Sequence, residues 1–257
     1  MKYYLLALSL LWMPWVWADA SRDFDAVDDD VAIGAAGLTQ TCAGEATVYF
    51  WANADTEGEG ANGLFFNFSG TGGSMFCQFR SSTTNDMQCG ENFGTLKVAQ
   101  CGSSCVTLDT WQFWAFRRQE PNTDCSASGA RAFDRVDDTG ISTLGTSSGD
   151  TGTGSSTSAT LYAGGNGAGG QTFDGQIGFI AYYPTSQLVG DELLEVKWNP
   201  CFPVSKDSET PLPTACVAIR GDSPEVDLSG TGNTGTVNGA TASANGPPIF
   251  MGQAIPL

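Results

Sequence analysis

Short apolar and aromatic runs alternate with clusters of Gly, Ser, Thr, Asn and Asp along most of this chain, and helical periodicity is nearly absent. That pattern predicts an all-β domain. Residues 47–52 (TVYFWA) form a strong strand, and 63–68 (GLFFNF) follow after an acidic, Gly-rich turn. Residues 75–80 (MFCQFR), 95–100 (TLKVAQ) and the aromatic 111–117 (WQFWAFR) predict three more. Between 137 and 170, Gly, Ser and Thr dominate around Leu161 and Tyr162, which predicts long loops about one short strand. Residues 176–183 are apolar and aromatic almost throughout, as suits a strand buried on both faces. Phe173-Asp174-Gly175 before it predicts a turn, and Asp191 after it a cap for one helical turn carrying Leu193, Leu194 and Val196. Beyond Asn199, Pro and polar residues take over, and a boundary is expected there.

The start of the chain changes the setting. Lys2 precedes an apolar run, residues 3–17, and Ala18-Asp19-Ala20 has the small-x-small form of a signal-peptidase site. The run is short for a span of ~20 residues, so residues 1–20 read as a cleaved leader. An uncleaved anchor is the alternative, given three tryptophans and Pro14 within it. Losing residues 1–20 removes Lys2 and Asp19, so the net charge stays at −17. Duplex nucleic acid and anionic membranes would be repelled, and divalent cations attracted.

Eight cysteines follow: Cys42, Cys77, Cys89, Cys101, Cys105, Cys125, Cys201 and Cys216. An even number in an exported chain predicts disulfides rather than zinc, for which there is one close pair and no histidine. The expected bonds are Cys77–Cys89 across a hairpin, Cys101–Cys105 locally and Cys201–Cys216 around a Pro-rich loop, leaving Cys42–Cys125 by elimination.

Three segments resemble the laminin-G-like, concanavalin-A-type jelly rolls. Residues 173–199 are similar to that family's closing signature, an F-x-G-x-I strand running into an aromatic strand and an acidic, Leu-bearing turn. FDAVDDDV (24–31) resembles its F-D-G-x-D-D-Y-V strand, departing at Ala26 and Asp30, and 111–118 resembles its W-x-x-x-A strand. The resemblance implies an all-β, two-sheet antiparallel β-sandwich jelly roll over 21–199. Residues 200–257 then form a Pro/Gly-rich tail. In it, DLSGTGNTGTVNGA (227–240) is similar to a segment that in the family precedes the F-D-G strand. A permuted strand returning in cis is the expectation, because it needs no partner; a linker or a strand added to a neighbouring molecule are the alternatives. The chain also echoes itself, RDFDAVDD (22–29) against RAFDRVDD (131–138), as two acidic strand ends.

Candidate chemistry is sparse. Histidine is absent, which removes the usual general base of hydrolases. Carboxylate chemistry would suit a glycoside hydrolase. The nearest match to the E-x-D-x-x-E strand of glucanases on this scaffold is Glu225-Val-Asp227, which lacks the final acid; Asp191, Glu192 and Glu195 lie on a helical turn. Calcium fits better, because hard cations take carboxylates from loops. Asp25, Asp28, Asp29 and Asp30 form one such cluster, and Asp134, Asp137 and Asp138 a second, with solvated acidic strand ends as the alternative. For sugar binding, the resemblance implies core positions for Trp51 and Trp111, whereas Trp114 and Tyr182 or Tyr183 are candidates for an exposed platform. The resemblance implies a secreted, extracellular, non-catalytic binding or adhesion module for glycans or another extracellular surface. A structural subunit of an appendage, sheath or particle, self-assembled through the tail, is the first alternative, and a glycoside hydrolase the second.

Overall fold

The computed structural model describes residues 20–42, 44–70, 72–81, 83–119, 129–149, 151–152, 157–201 and 213–248. The leader expected at 1–20 lies outside these apart from Ala20, as does Cys125. The strands are β1 (Ser21–Asp25), β2 (Asp30–Gln40), β3 (Ala46–Ala54), β4 (Leu64–Gly70), β5 (Gly73–Phe79), β6 (Met87–Asn92), β7 (Leu96–Gln100) and β8 (Gln112–Arg118). They continue as β9 (Arg131–Asp137), β10 (Gly140–Ser147), β11 (Thr157–Ala163) and β12 (Asp174–Tyr183), and after helix α1 (Asp191–Trp198) as β13 (Ala215–Ala218), β14 (Val226–Asp227), β15 (Gly235–Asn238) and β16 (Thr241–Ser243).

Two antiparallel sheets face each other as a jelly-roll sandwich. One runs β10-β9-β8-β3-β12-β1-β16, with β13 paired to β12 and β14 to β13; the other runs β15-β2-β11-β4-β5-β6-β7. Phe50, Phe65, Phe66, Phe68, Phe79, Trp114, Phe116 and Tyr182 lie in the interior between them. A second cluster, with Tyr49, Trp51, Phe113, Phe179, Tyr183, Leu193 and Val196, covers the outer face of the first sheet under α1. The central strands β3 and β12 are therefore buried on both faces, which is why their sequences run apolar without alternation. Gly175, at φ 129°, opens β12 inside the ladder, where a Cβ would stand 2.2 Å from the Asn53 carbonyl oxygen. Helix α1 begins at Asp191 but is entered from Gly190, and Glu192 Oε2 accepts the Val189 N–H.

One expectation changes. The Gly/Ser/Thr region is not loops around a single strand, because β10 forms there beside β9. It is an edge strand, half-exposed along most of its length, and Gly145 brings its backbone against Gln100 of β7. Beyond Asn199 the chain comes back to the two sheets. β13 sits against β12, β15 pairs with β2 and β16 with β1, all within the same chain. Disulfides join Cys77–Cys89, Cys101–Cys105 and Cys201–Cys216, and Cys42 is disulfide-bonded too.

The 22–29 and 131–138 echo has a structural counterpart. Each segment's Phe, Phe24 or Phe133, points into the core, and each Arg is buried against a glutamate: Arg22 Nε at 2.6 Å from Glu225, Arg131 Nε at 2.6 Å from Glu91.

Candidate functional site

A groove of about 430 Å³ opens on the outer face of the first sheet, where β8 and β9 pass the end of α1. Its aromatic lining is Trp111 and Trp198, both partly exposed, with Trp51 and Phe113 beneath. Strand alternation puts Trp111 and Phe113 on this face, and register against β3 sets Phe113 beside Trp51. Helix α1 is anchored over the sheet by Leu193 and Val196, and by the Trp51 indole N–H, which donates to the Lys197 carbonyl at 2.9 Å. That fixes the last helical turn and the Trp198 ring next to the groove.

Polar groups converge beside the rings. Lys197 Nζ is 2.6 Å from Asp138 Oδ1, and stands 4.3 Å from the Trp198 ring centre and 5.9 Å from that of Trp51. The Lys197 side chain is almost wholly covered, while 78% of Asp138 faces solvent. Asp137 accepts both the hydroxyl and the backbone N–H of Thr139, and these bonds hold its carboxyl below its ordinary pKa. A fixed carboxylate and a cation shared between an aromatic face and an exposed carboxylate thus stand beside two tryptophans. Such a surface suits a ligand with one apolar face and a rim of hydroxyls.

Trp114 is not part of it. It is 1% exposed, stacked on Phe133 at 5.4 Å between the sheets. It stands three positions on from Trp111, an odd offset, so the pleat turns it to the opposite face, and no ring surface remains for a ligand. Tyr182 likewise points into the core and Tyr183 lies buried under α1. The residue read as core, Trp111, is the one that lines the groove.

The first acidic cluster divides. Carboxylate oxygens of Asp25, Asp28 and Asp29 lie within 4.8 Å of one another at the bend between β1 and β2. Burial raises the Asp29 carboxyl, the Asp25 N–H opposes this, and the Asp25 and Asp28 charges add to it. Asp30 is directed away, onto Asn238 Nδ2 of β15 at 2.6 Å. The second cluster is dispersed: Asp134 is buried on Arg117 and Thr143, Asp137 closes its own turn and Asp138 meets Lys197.

Glu225 and Asp227, weighed for hydrolysis, have structural partners. Glu225 is fully buried on Arg22 and accepts the N–H groups of Arg220 and Gly221. Burial would raise the Asp227 carboxyl, but hydrogen bonds from Ser229, Cys216 and Asn233 outweigh it and lower the pKa.

No family model and no curated protein matches the chain. In fold it is similar to laminin G domains. Mouse laminin alpha1 chain, domains LG4-5, aligns at 10% identity over 66% of this chain and 42% of that one, with a TM-score of 0.46. The LG1-3 region of the laminin alpha2 chain aligns at 12% identity over 62% and 31%, with a TM-score of 0.42. Scytalido-glutamic peptidase, solved with a peptide based transition state analog, aligns at 10% identity over 62% and 82%, with a TM-score of 0.30. The chain spans less than half the length of either laminin structure.

Proposed function

We propose that this is a secreted, non-catalytic binding module that adheres to glycans through the groove on the outer sheet face. The observation that carries the proposal is the pairing of two partly exposed tryptophans, Trp111 and Trp198, with the Asp137, Asp138 and Lys197 charges at one opening. The leader-like start of the chain and its disulfides support an extracellular setting. A sugar ring would lay its apolar face on an indole, and its hydroxyls would bond the carboxylates. On an immobilised glycan panel, Trp111→Ala and Trp198→Ala are each expected to lower the signal about tenfold, equivalent to ~1.4 kcal/mol. A double variant that binds like the wild type would sink the proposal. Release of reducing sugar by the wild type would favour the hydrolase instead.

A second reading concerns calcium. Asp25, Asp28 and Asp29 supply three convergent carboxylates at one bend, the donor type that a hard cation takes. Calcium held there would relieve their mutual repulsion. At a concentration a hundredfold above Kd it would add about 2.7 kcal/mol. After chelation, calcium should therefore raise the melting temperature by several degrees in the wild type and by little in Asp28→Asn. An equal midpoint with and without calcium in the wild type would count against the site.

A further inference from the structure

The returning end of the chain reaches the groove. Asn245 joins three separate parts of the molecule. Its carbonyl accepts the Ser21 hydroxyl at 2.5 Å, its Nδ2 donates to Gln176 Oε1 at 3.0 Å, and its Oδ1 accepts the Trp111 indole N–H at 3.3 Å. Two residues on, Pro247 is buried against Gly178 of β12. A Cβ on Gly178 would stand 2.4 Å from Pro247 Cδ and 3.4 Å from Trp111 Cη2, so the bare glycine backbone, the proline and the rim of the indole meet at one point. Pro248 then joins Trp111 and Trp198 in the lining of the groove.

A tryptophan at a groove edge has two side-chain torsions to lose when a ligand seats on it. A partner for its N–H and a rigid neighbour at its rim remove that freedom beforehand, so less is lost on binding. Here both come from residues 245–248. They belong to a segment more than a hundred residues away from Trp111 along the chain, tied down by β16 on β1. We infer that Asn245 and Pro247 are positioning residues of the groove: the C-terminal segment holds the Trp111 ring as a preformed platform, and ligand affinity depends on that segment being docked. This rests on the glycan reading above.

The test uses the full chain labelled with 5-fluorotryptophan, the Trp111 resonance being assigned with Trp111→Phe, together with the immobilised glycan panel. In Asn245→Ala and in Gly178→Ala the Trp111 fluorine signal should shift or broaden while those of Trp51 and Trp114 stay in place. The panel signal should fall about fivefold as the platform loses its preorganisation. Asn245→Asp, which keeps an acceptor for the indole N–H, should restore both. An unmoved Trp111 signal in both variants would overturn the inference, and so would a moved signal with wild-type panel binding. Silence of the wild type on the panel would remove the glycan reading alone, and the fluorine shift would then decide whether the segment holds Trp111.

Discussion

Replacing Glu91 with alanine is expected to cost about 3–5 kcal/mol, a drop in melting temperature on the order of 10 °C for a domain of this size. Glu91 of β6 crosses the sandwich to meet two arginines from the other sheet, Arg118 Nη1 at 2.7 Å and Arg131 Nε at 2.6 Å, and all three side chains are fully buried. Arg118 and Arg131 are direct cross-strand partners on β8 and β9. Without the carboxylate, two like charges would face each other in a water-free setting. Arg118 also holds the Thr41 and Gly44 carbonyls, so its displacement would loosen the connection between β2 and β3. Glu91→Gln keeps the shape and some hydrogen bonds but not the charge, and should fall between the two. A thermal melt decides it: Glu91→Ala unfolding within a degree of the wild type would show that the triad contributes little.

The second large effect is expected at the Arg22–Glu225 pair. Three Arg22 nitrogens bond the C-terminal region: Nε to Glu225 at 2.6 Å, Nη1 to the Ala240 carbonyl at 2.8 Å and Nη2 to the Asp222 carbonyl at 2.5 Å. Glu225→Ala would leave Arg22 unpaired and two backbone N–H groups without their acceptor, again about 3–5 kcal/mol. The damage should be local. The Cys201–Cys216 bond, the pairing of β13 with β12 and that of β14 with β13 retain residues 215–218 and 226–227, whereas 235–243 reach the body through the edge strands β15 and β16. Hydrogen exchange should therefore show protection lost over 235–243 while β3 and β12 keep theirs. Uniform protection across the variant would mean that the pair is not what holds this region.

Much of the sandwich is legible in the sequence because its central strands are so apolar. β3, β8 and β12 need no alternation to be seen. The same property hides which face each ring takes. With β8 buried on both sides, the run Trp111-Gln-Phe-Trp114 carries no period, and only its register on β3 sends Trp111 outward and Trp114 inward. β6 enters only as the far side of the expected Cys77–Cys89 hairpin, for a different reason. Its inward positions are Met87, Cys89 and Glu91, a regular alternation whose third member is a charge, so a scan for hydrophobic residues stops short. β10 has no apolar face to detect, since it lies at an edge against β7. The groove draws on β8, β9, α1 and the C-terminal segment, and no local pattern announces a surface assembled from such distant pieces.

The contact between Arg22 and Glu225 also sets an order of events. It spans 203 residues, and β1 has its other partner in β12, about 150 residues downstream of it. A chain emerging from its N-terminus leaves β1 without a ladder until β12 has followed, and without its second neighbour until β16 arrives. Long-range closure of this kind is slow, because loop entropy is lost before any contact is gained. Strand β1 is thus among the last to be enclosed on both sides, and until β12 and β16 have followed it the sheet they complete carries an open edge able to pair with a neighbouring chain.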